Sequence, residues 1–373
     1  MSGDTPRVVV TGVGLASPIG NDLAEVTAAL LDGRSGVLVQ PEWAEVEGLE
    51  TRLGAPVAGL ELKGRYPRKK VRSMGRVGLL AVYATEQAVE GAGLEAETIA
   101  SGTTGLAYGS THGSSSALLD FVRPLFASGL MGIPSSSYLK FMSHTTAANL
   151  ALFYGIRGRI IPTSAACVSG SLAVGYGYEA IKAGHADVMI CGGAEELHFV
   201  PVGVFDIMRA TSTGYNDRPE ASPRPFDADR DGLVVGEGAG TVVLESLDHA
   251  RRRGAEALAE VVGFGTTCDG THVTSPSSDG MAEAMRLALE DGRCSAADID
   301  YVNAHATATE VGDVAESHAT GAVLGGEVPV SSTKGHTGHT LGASGAHELI
   351  FCIAMMQEGF LAPTRSLDRV DPR

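Results

Sequence analysis

The sequence predicts an α/β protein in which helices cover the faces of a largely buried sheet. Short β-branched runs alternate along the chain with longer stretches that repeat apolar residues at helical spacing, a pattern typical of α/β layers. The 373 residues include 49 glycines and only 5% aromatic residues, which suits tightly packed layers. The length allows two domains or one large duplicated domain, and a hydrophobic fraction of 44% can fill a substantial core.

The first two thirds of the chain contain the clearest elements. Strands are predicted at residues 7–14, 104–110, 159–161, 187–196 and 240–245, and helices at residues 21–31, 77–92 and 171–183. The stretch 111–116 is rich in serine and is predicted as a loop. Residues 215–232 are rich in Pro, Asp and Arg and have no periodicity, so an ordered loop or a lid is expected there.

A second set of elements follows from about residue 257. Strands are predicted at residues 259–265, 300–304 and 328–332, and helices at residues 280–291 and 345–358. This order resembles a second copy of the first architecture, although no residue-level repeat is visible. We therefore expect an N-terminal half, residues 1–252, and a C-terminal half, residues 253–373.

Composition excludes several classes of protein. The net charge of −16 argues against nucleic acid as the main partner, because phosphate binding requires clustered positive charge. No signal peptide and no apolar run long enough to insert into a membrane are recognised. The five cysteines are scattered and odd in number, which favours reduced thiols in a cytoplasmic protein.

A nicotinamide site is a weaker alternative. The opening RVVVTGVG and the pair Tyr178 and Lys182 resemble parts of dinucleotide-binding enzymes. Ser17 and Pro18, however, interrupt the turn that should lead directly into a helix, and no acidic residue closes a clear second strand. Tyr178 and Lys182 are more simply neighbours on one helix face.

One basic cluster stands out in this acidic chain. It comprises Arg65, Arg68, Lys69, Lys70, Arg72 and Arg76. Such a run is usually a solvated helix face. The functional alternative is a docking surface for an acidic partner, since local charge steers association despite the net charge.

Cys167 lies between the strand predicted at 159–161 and the helix predicted at 171–183. Free backbone N–H groups and the helix dipole favour an anion at such a position. They can lower a thiol pKa and produce a thiolate nucleophile. A buried structural cysteine explains the same window, so both interpretations remain open here.

Two histidine windows carry the other candidate residues. His305 follows a predicted strand among small and hydroxyl residues, and Lys334 and His339 lie in a Gly- and Thr-rich loop before a helix. Small residues at these places suggest that a ligand approaches the backbone closely. A metal site formed by His336, His339 and His347 is disfavoured, because the spacing matches no helical His pair or Cys/His zinc pattern.

Together, the windows around Cys167, His305, Lys334 and His339 resemble the β-ketoacyl-acyl carrier protein synthases. These are the elongating condensing enzymes of fatty acid and polyketide assembly. The four windows occur in the family's order and approximate spacing, and the resemblance extends from residue 8 to about residue 363. The stretch 215–232 is also similar to a loop of the same composition in that family.

The resemblance implies a fold and a quaternary structure. The fold would be that of thiolase, with two similar mixed-sheet halves in a five-layer αβαβα arrangement. The protein would usually form a homodimer, and a ketosynthase-like heterodimer is a second option. Substrates would arrive on the phosphopantetheine arm of an acyl carrier protein (ACP), without a metal or another cofactor.

The resemblance also implies catalytic roles. Cys167 would attack the thioester of an acyl-ACP and hold the acyl chain, while its backbone N–H helps to stabilise the oxyanion. His305 and His339 would donate N–H groups to the malonyl thioester carbonyl as CO₂ leaves. Lys334 would supply a fixed positive charge, and Glu316 would be its acidic partner.

Binding roles are implied as well. Thr307 and Thr309 would contact the phosphopantetheine arm. Phe205 would lie near the acyl pocket, and His112 at the far end of the acyl tunnel, where a polar side chain would shorten or alter the accepted chain. The basic residues that would dock the acidic carrier protein are Arg68, Lys69, Arg72 and Arg209.

The sequence departs from the family pattern in three places. Residues 306–310 read Ala-Thr-Ala-Thr-Glu where the family commonly has Gly-Thr-Ser-Thr-Pro, and His336 occupies a position that is not usually His. Family members also continue into a Gly-Phe-Gly-Gly-x-Asn strand that supplies a second oxyanion donor and a gating phenylalanine. The sequence stops at Arg373, so these final strands are expected to be missing from it.

The resemblance predicts a decarboxylative Claisen condensation in fatty acid, polyketide or polyene elongation. Acyl-ACP and malonyl-ACP would give 3-oxoacyl-ACP, CO₂ and free ACP. Two alternatives remain. A non-catalytic or chain-length partner subunit would usually lack the cysteine, and a CoA-dependent thiolase would use a second cysteine as its base.

Overall fold

The computed structural model describes residues 5–271 and 276–373. The strands in these ranges are β1 (Val8–Ala16), β2 (Leu38–Val39), β3 (Leu53–Ala55), β4 (Thr104–Gly109), β5 (Ile160–Pro162), β6 (Val188–Glu195), β7 (Val235–Gly236), β8 (Gly238–Ser246), β9 (Ala259–Val261), β10 (Val302–Asn303) and β11 (Val330–Ser331). The helices in these ranges are α1 (Leu23–Leu31), α2 (Arg68–Val71), α3 (Arg76–Gly91), α4 (Ala96–Ile99), α5 (Ser115–Ser128), α6 (Tyr138–Phe141), α7 (Thr145–Tyr154), α8 (Ser169–Lys182), α9 (Phe199–Ile207), α10 (Leu247–Arg252), α11 (Ser278–Gly292), α12 (Glu310–Leu324), α13 (Lys334–Thr337) and α14 (Ser344–Glu358).

The main sheet has six strands in the order β5-β4-β6-β8-β1-β9. Strand β4 is parallel to both of its neighbours, β5 and β6, whereas β8 is antiparallel to both β6 and β1. The register places Leu106 beside Ile190 and Ile190 beside Val243, and all three side chains are buried. Strands with such continuous apolar runs require cover on both faces.

Helices provide that cover on each side of the sheet. Leu106 packs with Leu80 of α3 and Leu150 of α7, whereas the next residue, Ala107, packs with Ile350 of α14 and other residues of α8 and α14. Successive strand residues point to opposite faces, so these two clusters lie on opposite sides of the main sheet. The predicted α/β layering is therefore confirmed.

A smaller parallel pair, β10 and β11, lies in the C-terminal half. Tyr301, just before β10, packs against the α8–α14 core, and its hydroxyl lies 2.7 Å from the Ser331 Oγ of β11. Helices α11 and α12 pack against each other in the same half. This pair of strands carries the second group of candidate residues, because His305 follows β10 and Lys334 follows β11.

Strand β9 is shorter than predicted, since the run expected to extend to residue 265 leaves the sheet early. The Tyr178 hydroxyl donates to the backbone oxygen of Val262 at 3.0 Å, and the Phe264 N–H donates to Asp291 at 3.1 Å. Side chains therefore satisfy the backbone groups that a neighbouring strand would otherwise bind.

Four helices of nine or more residues were not predicted, α5, α7, α9 and α12, and the short helices α4, α6, α10 and α13 were not predicted either. Helix α5 begins at Ser115, inside the serine-rich stretch predicted as a loop, and contains Pro124. Glycine and acidic residues dilute the apolar pattern of α12. Tertiary packing outweighs these weak local signals.

The topology brings the candidate residues to one region. The parallel strands β4, β5 and β6 end at the same edge of the main sheet, where His112, Cys167 and Glu195 lie. The segments after β10 and β11 approach this edge and contribute His305 and His339. None of the helices in the described ranges combines the length and the apolar content that crossing a membrane requires.

Candidate active site

Cys167 occupies a tight turn between β5 and α8. Ala166, directly before it, has a φ of +52°, a conformation that non-glycine residues adopt only when their surroundings enforce it. The Ser169 hydroxyl enforces this turn, because it donates to the Ala166 oxygen at 2.6 Å and accepts from the Ala165 N–H at 2.9 Å. The thiol is thus fixed just before the first turn of α8.

Burial raises the pKa of the Cys167 thiol to about 11, against the lowering effect of the Lys334 charge. Of the two interpretations that the sequence left open, a thiolate at rest is therefore disfavoured. Desolvation of the thiolate outweighs the charge of the nearby Lys334. At neutral pH the residue is a thiol, so it needs a proton acceptor to become a nucleophile.

His339 supplies a suitable nitrogen. Its Nε2 lies 2.9 Å from Cys167 Sγ, and its Nδ1 lies 2.9 Å from the Ser344 Oγ at the start of α14. The His339 backbone N–H donates to the Val234 oxygen at 2.7 Å, which holds the segment after α13 in place. Because a hydroxyl can donate or accept, Ser344 is compatible with either neutral tautomer of the imidazole.

His305 completes a compact cluster. Its ring lies perpendicular to that of His339, with ring centroids 5.0 Å apart. One sulfur of Cys167 and one ring nitrogen from each histidine lie within 4.8 Å of one another. Desolvation and the charge of Lys334 hold the pKa of His305 well below its ordinary value; for His339 the nearby His305 adds to the same two causes. Both imidazoles are therefore neutral at pH 7.

Lys334 is almost completely buried and forms an ion pair with Glu348 of α14. The expected ion pair between Lys334 and Glu316 is therefore wrong. Glu316 instead accepts the backbone N–H groups of His305 and Ala306, both at 2.7 Å. Glu316 thus fixes the backbone beside His305, and its charge interacts with Lys334 only at a distance. Sequence reasoning missed Glu348, because only the folding of α14 brings it to Lys334.

Thr307 and Thr309 lie beside each other, with their hydroxyl oxygens 3.1 Å apart. Ala308 between them has a φ of +67°. Its N–H donates to the buried Asp313 at 3.1 Å, and the same carboxylate accepts from the Phe226 N–H at 2.8 Å. Asp313 thus joins the Thr307–Thr309 segment to the aspartate-rich loop after residue 215.

The two predicted acyl-pocket residues lie on different elements. Phe205 of α9 packs in the apolar cluster that also contains Cys167 and Leu341. His112 follows β4, and its backbone N–H donates to the buried Glu195 at 3.1 Å. Burial lowers the pKa of the His112 imidazole.

The basic cluster divides into paired and exposed residues. Its ends are paired, Arg65 with Glu86 and Arg76 with Glu237. The residues between them are exposed on and beside the short helix α2: Arg68, Lys69, Lys70 and Arg72. Arg209, just after α9, is exposed too and has a φ of +54°.

The metal group considered from the sequence does not form. The ring nitrogens of His336 face the backbone oxygens of Arg34 and Pro363, at 2.9 and 3.1 Å. Those of His347 face the Thr340 hydroxyl and the Ala16 oxygen. Both rings are therefore engaged with protein oxygen atoms and cannot join His339 around an ion.

Comparison with known proteins gives consistent matches along the chain. Residues 5–250 match the family model of the β-ketoacyl synthase N-terminal domain, and residues 258–368 match that of the C-terminal domain. The chain is 40% identical over 372 residues to 3-oxoacyl-[acyl-carrier-protein] synthase 1 of Haemophilus influenzae, covering 98% of this chain and 89% of that protein.

Solved structures agree with these matches. A β-ketoacyl synthase from Burkholderia phymatum superposes with a TM-score of 0.95 at 51% identity, covering 98% of this chain and 90% of that one. A ketosynthase structure from the complex described as AntDE:AntF also superposes, with a TM-score of 0.89 at 29% identity, covering 99% of this chain and 91% of that one. That complex contains a type II polyketide synthase acyl carrier protein with its ketosynthase. The predicted thiolase-like α/β fold is confirmed.

Proposed function

Because the chain belongs to the β-ketoacyl synthase family, we propose that Cys167 is its nucleophile and that His305, His339 and Lys334 assist it. The reaction is an acyl transfer followed by a decarboxylative condensation, and acyl-ACP and malonyl-ACP give 3-oxoacyl-ACP, CO₂ and free ACP. The observation that carries this assignment is the 2.9 Å contact between Cys167 Sγ and His339 Nε2, with His305 beside it.

The first step is transfer of the acyl group to Cys167. The sulfur attacks the thioester carbon of acyl-ACP, the bond from that carbon to the phosphopantetheine sulfur breaks, and the thiol proton leaves with the released arm. Neutral His339 is close enough to relay this proton. Donation from the Cys167 N–H to the developing oxyanion lowers the barrier further.

The second step is decarboxylation of malonyl-ACP. The bond between C2 and the carboxylate breaks, CO₂ leaves, and the electron pair forms an enolate. Ring N–H groups of His305 and His339 donate to the thioester oxygen, which neutral imidazoles can do. The enolate carbon then attacks the acyl thioester carbon, the bond from that carbon to sulfur breaks, and Cys167 leaves as a thiolate that takes up a proton from solvent.

Other side chains place the substrates. The adjacent hydroxyls of Thr307 and Thr309 suit the amide groups of a phosphopantetheine arm, and Lys334 maintains positive potential where negative charge develops. Phe205 shares an apolar cluster with Cys167, which supports a role in holding the acyl chain. We assign His112 to the far end of that pocket on the family resemblance.

The partner that delivers both substrates is an acidic acyl carrier protein. Arg68, Lys69 and Arg72 form the exposed middle of the basic cluster and would meet its negative surface, with Arg209 as a further contact. The relative from Haemophilus influenzae is named as a synthase of acyl-carrier-protein substrates, which supports this partner.

A second copy of the chain is the proposed subunit partner. Three apolar side chains are more than four-fifths exposed: Phe126 of α5, Met131 just after α5, and Ile207 of α9. Ile160 of the edge strand β5 is also exposed to solvent. Apolar surface of this kind suits a protein interface, and most such interfaces join identical subunits. Light scattering would separate a homodimer from a monomer, and co-purification with a different ketosynthase-like chain would indicate a heterodimer.

The domain boundary, the absence of a cofactor and the compartment belong to the same proposal. The two matched family domains meet between residues 250 and 258, which supports halves of 1–252 and 253–373. All five cysteines are free, which supports a reducing cytoplasm. Dialysis against EDTA should leave the condensation rate unchanged, because the chemistry above needs no metal.

Intact-protein mass spectrometry tests the proposed nucleophile directly. Incubation with acyl-ACPs of different chain lengths should add one acyl group to the protein, and the Cys167→Ala variant should add none. The preferred chain length follows from the extent of modification. The Cys191→Ala variant is a matched control, because Cys191 is fully buried in β6 and should leave acylation intact.

Two other results would count against the proposal. An unmodified wild-type protein with every acyl donor would favour the non-catalytic partner subunit. Efficient turnover of CoA esters without any carrier protein would favour a thiolase.

A further inference from the structure

Glu195 is a fully buried carboxylate to which the mechanism above gives no role. Glu195 ends β6 and is 0% exposed. Its Oε1 accepts from the Ser110 hydroxyl and the His112 N–H, both at 3.1 Å. Its Oε2 accepts from the Thr111 N–H at 2.7 Å and the Gly342 N–H at 3.1 Å. All four donors are neutral, so the charge of this carboxylate is solvated by hydrogen bonds alone.

The donors come from two separate segments of the chain. Ser110 to His112 follow β4 and lead to the predicted end of the acyl pocket, whereas Gly342 lies three residues after His339. Glu195 is therefore a bridge between the pocket loop and the segment that carries one of the proposed catalytic histidines.

Close packing leaves no room for a side chain at Gly342. A Cβ atom on Gly342 would lie 2.8 Å from Thr111 N and 3.0 Å from Glu195 Oε2. A Cβ atom on Gly193 would lie 2.1 Å from the Gly342 oxygen. The turn after His339 thus lies between the end of β6 and the loop after β4. Glu195, at the end of β6, accepts hydrogen bonds from both the turn and the loop.

The carboxylate also acts at a distance. Burial raises the pKa of Glu195 to about 7 against its four hydrogen bonds, so the group is ionised in the alkaline range in which Cys167 titrates. In that range its negative charge contributes to the raised pKa of the Cys167 thiol, in opposition to Lys334.

We propose that Glu195 is a positioning residue of the condensation site: it fixes the Thr111–His112 loop against the Gly342 turn, and it places a buried carboxylate at the sheet edge where Cys167 lies. This inference rests on the proposed function in that Cys167 and His339 are taken as the reacting pair. It assigns two separable properties to one side chain, reach and charge, and each can be changed alone.

Two conservative variants separate these properties. Glu195→Gln keeps the length and removes the charge, so the pH profile of Cys167 alkylation by iodoacetamide should shift to lower pH, by roughly half a unit. Glu195→Asp keeps the charge and shortens the side chain, so the alkylation profile should stay in place. The shorter side chain cannot reach both segments, and kcat for malonyl-ACP decarboxylation should fall by about tenfold or more with little change in KM.

Glu196 offers a matched control. It is the next residue, is also buried, and accepts only from Ser114 and Ser116 at the start of α5. Glu196→Gln and Glu196→Asp should leave both the alkylation profile and the decarboxylation kcat at wild-type values.

An unshifted alkylation profile in Glu195→Gln, or a wild-type decarboxylation kcat in Glu195→Asp, would overturn the inference. If Glu195→Asp does not fold, as judged by circular dichroism, the alkylation profile of the nearly isosteric Glu195→Gln still tests the inference. Alkylation requires no enzymatic turnover. A wild-type protein that makes no 3-oxoacyl-ACP would therefore contradict the proposed function and leave the alkylation test of Glu195→Gln intact.

Discussion

At the scale of single residues, the proposed chemistry depends on a thiol that keeps its proton and on two neutral imidazoles. The pKa of Cys167 is raised to about 11, and those of His305 and His339 are held well below their ordinary value. The resting site is therefore neutral at these three groups instead of a thiolate–imidazolium pair. Proton transfer must accompany attack on the thioester, and the same neutral rings can then donate to the enolate.

Replacing His305 should separate the two steps of the reaction. His305→Ala removes one proposed N–H donor to the enolate oxygen, so decarboxylation of malonyl-ACP should fall by roughly 10²–10³-fold. Acylation of Cys167 should remain within a few-fold of wild type, because His339 Nε2 still faces the sulfur. Release of CO₂ and intact-protein mass measure the two steps. The exposed His318 of α12 provides the control variant His318→Ala, and equal loss of both steps in His305→Ala would contradict this division.

Removing Lys334 should change the titration of the whole cluster. Its charge lowers the pKa of Cys167, His305 and His339. In Lys334→Met the alkylation profile of Cys167 should therefore move to higher pH, opposite to the shift expected for Glu195→Gln. Lys182→Met is the control, because Lys182 pairs with Asp291 at the far end of α8 and its loss should not move the profile.

At the scale of elements, a buried aspartate of the loop after residue 215, Asp227, joins this loop to the chain near residue 368. Asp227 accepts from Arg224 Nε at 3.1 Å and from the N–H groups of Asp229, Asp368 and Arg369, each at 2.8 Å. Burial alone would raise its pKa, but these donors outweigh burial and lower the pKa to about 2. The segment near residue 368 is thereby fastened to this loop.

Asp227→Asn should destabilise the protein at neutral pH by about 2.5 kcal/mol, the free energy that corresponds to the pKa difference between the unfolded and folded states. A depressed pKa stabilises the folded state above the unfolded pKa, and this contribution is lost as pH falls through the folded value. The difference from wild type should therefore be constant from pH 7 to about pH 5 and shrink toward pH 2. Urea unfolding at several pH values measures it. Asp217→Asn changes an exposed aspartate of the same loop, and a matching loss there would argue against this explanation.

Some elements could be predicted from the sequence because their local pattern and their tertiary environment agree. Strands β1, β6 and β8 are apolar runs that remain buried along their length. Helix α12 could not be predicted, since its stability comes from packing against α11 instead of a strong apolar stripe.

The candidate site also has a part that the sequence predicts and a part that depends on tertiary packing. The windows of Cys167, His305 and His339 were recognisable, but their mutual distances depend on loops that the sequence does not specify. The partner of Lys334 was predicted wrongly, because Glu316 and Glu348 both lie near it and only the packing of α14 decides which one forms the ion pair.

At the scale of the whole molecule, charge is unevenly distributed. The chain carries a net charge of −16, yet Arg68, Lys69 and Arg72 are exposed together around α2. An acidic carrier protein would be repelled by most of the surface and attracted at this place. Such an arrangement directs the partner to one face and makes association sensitive to salt.

Charge reversal tests this steering. The double variant Lys69→Glu and Arg72→Glu should raise KM for acyl-ACP by roughly tenfold and leave the KM for a short acyl-CoA nearly unchanged. The exposed Arg251 and Arg252 of α10 give a control of equal charge change, Arg251→Glu and Arg252→Glu. Equal effects on both substrates, or an equal effect of the control, would remove the case for a docking surface.

The buried contacts between distant parts of the chain restrict how it can recombine with its relatives. The buried His336 ring faces the Arg34 backbone oxygen, and the Gly342 N–H donates to the buried Glu195, so each pair joins the two proposed halves. A chimaera with its crossover near residue 253 would inherit one member of each pair from each parent. The oxygen at position 34 belongs to the backbone, so any residue there supplies it. Viable hybrids should therefore come from parents that match at Glu195, His336 and Gly342, and gene shuffling should select crossovers that keep Glu195 and Gly342 together.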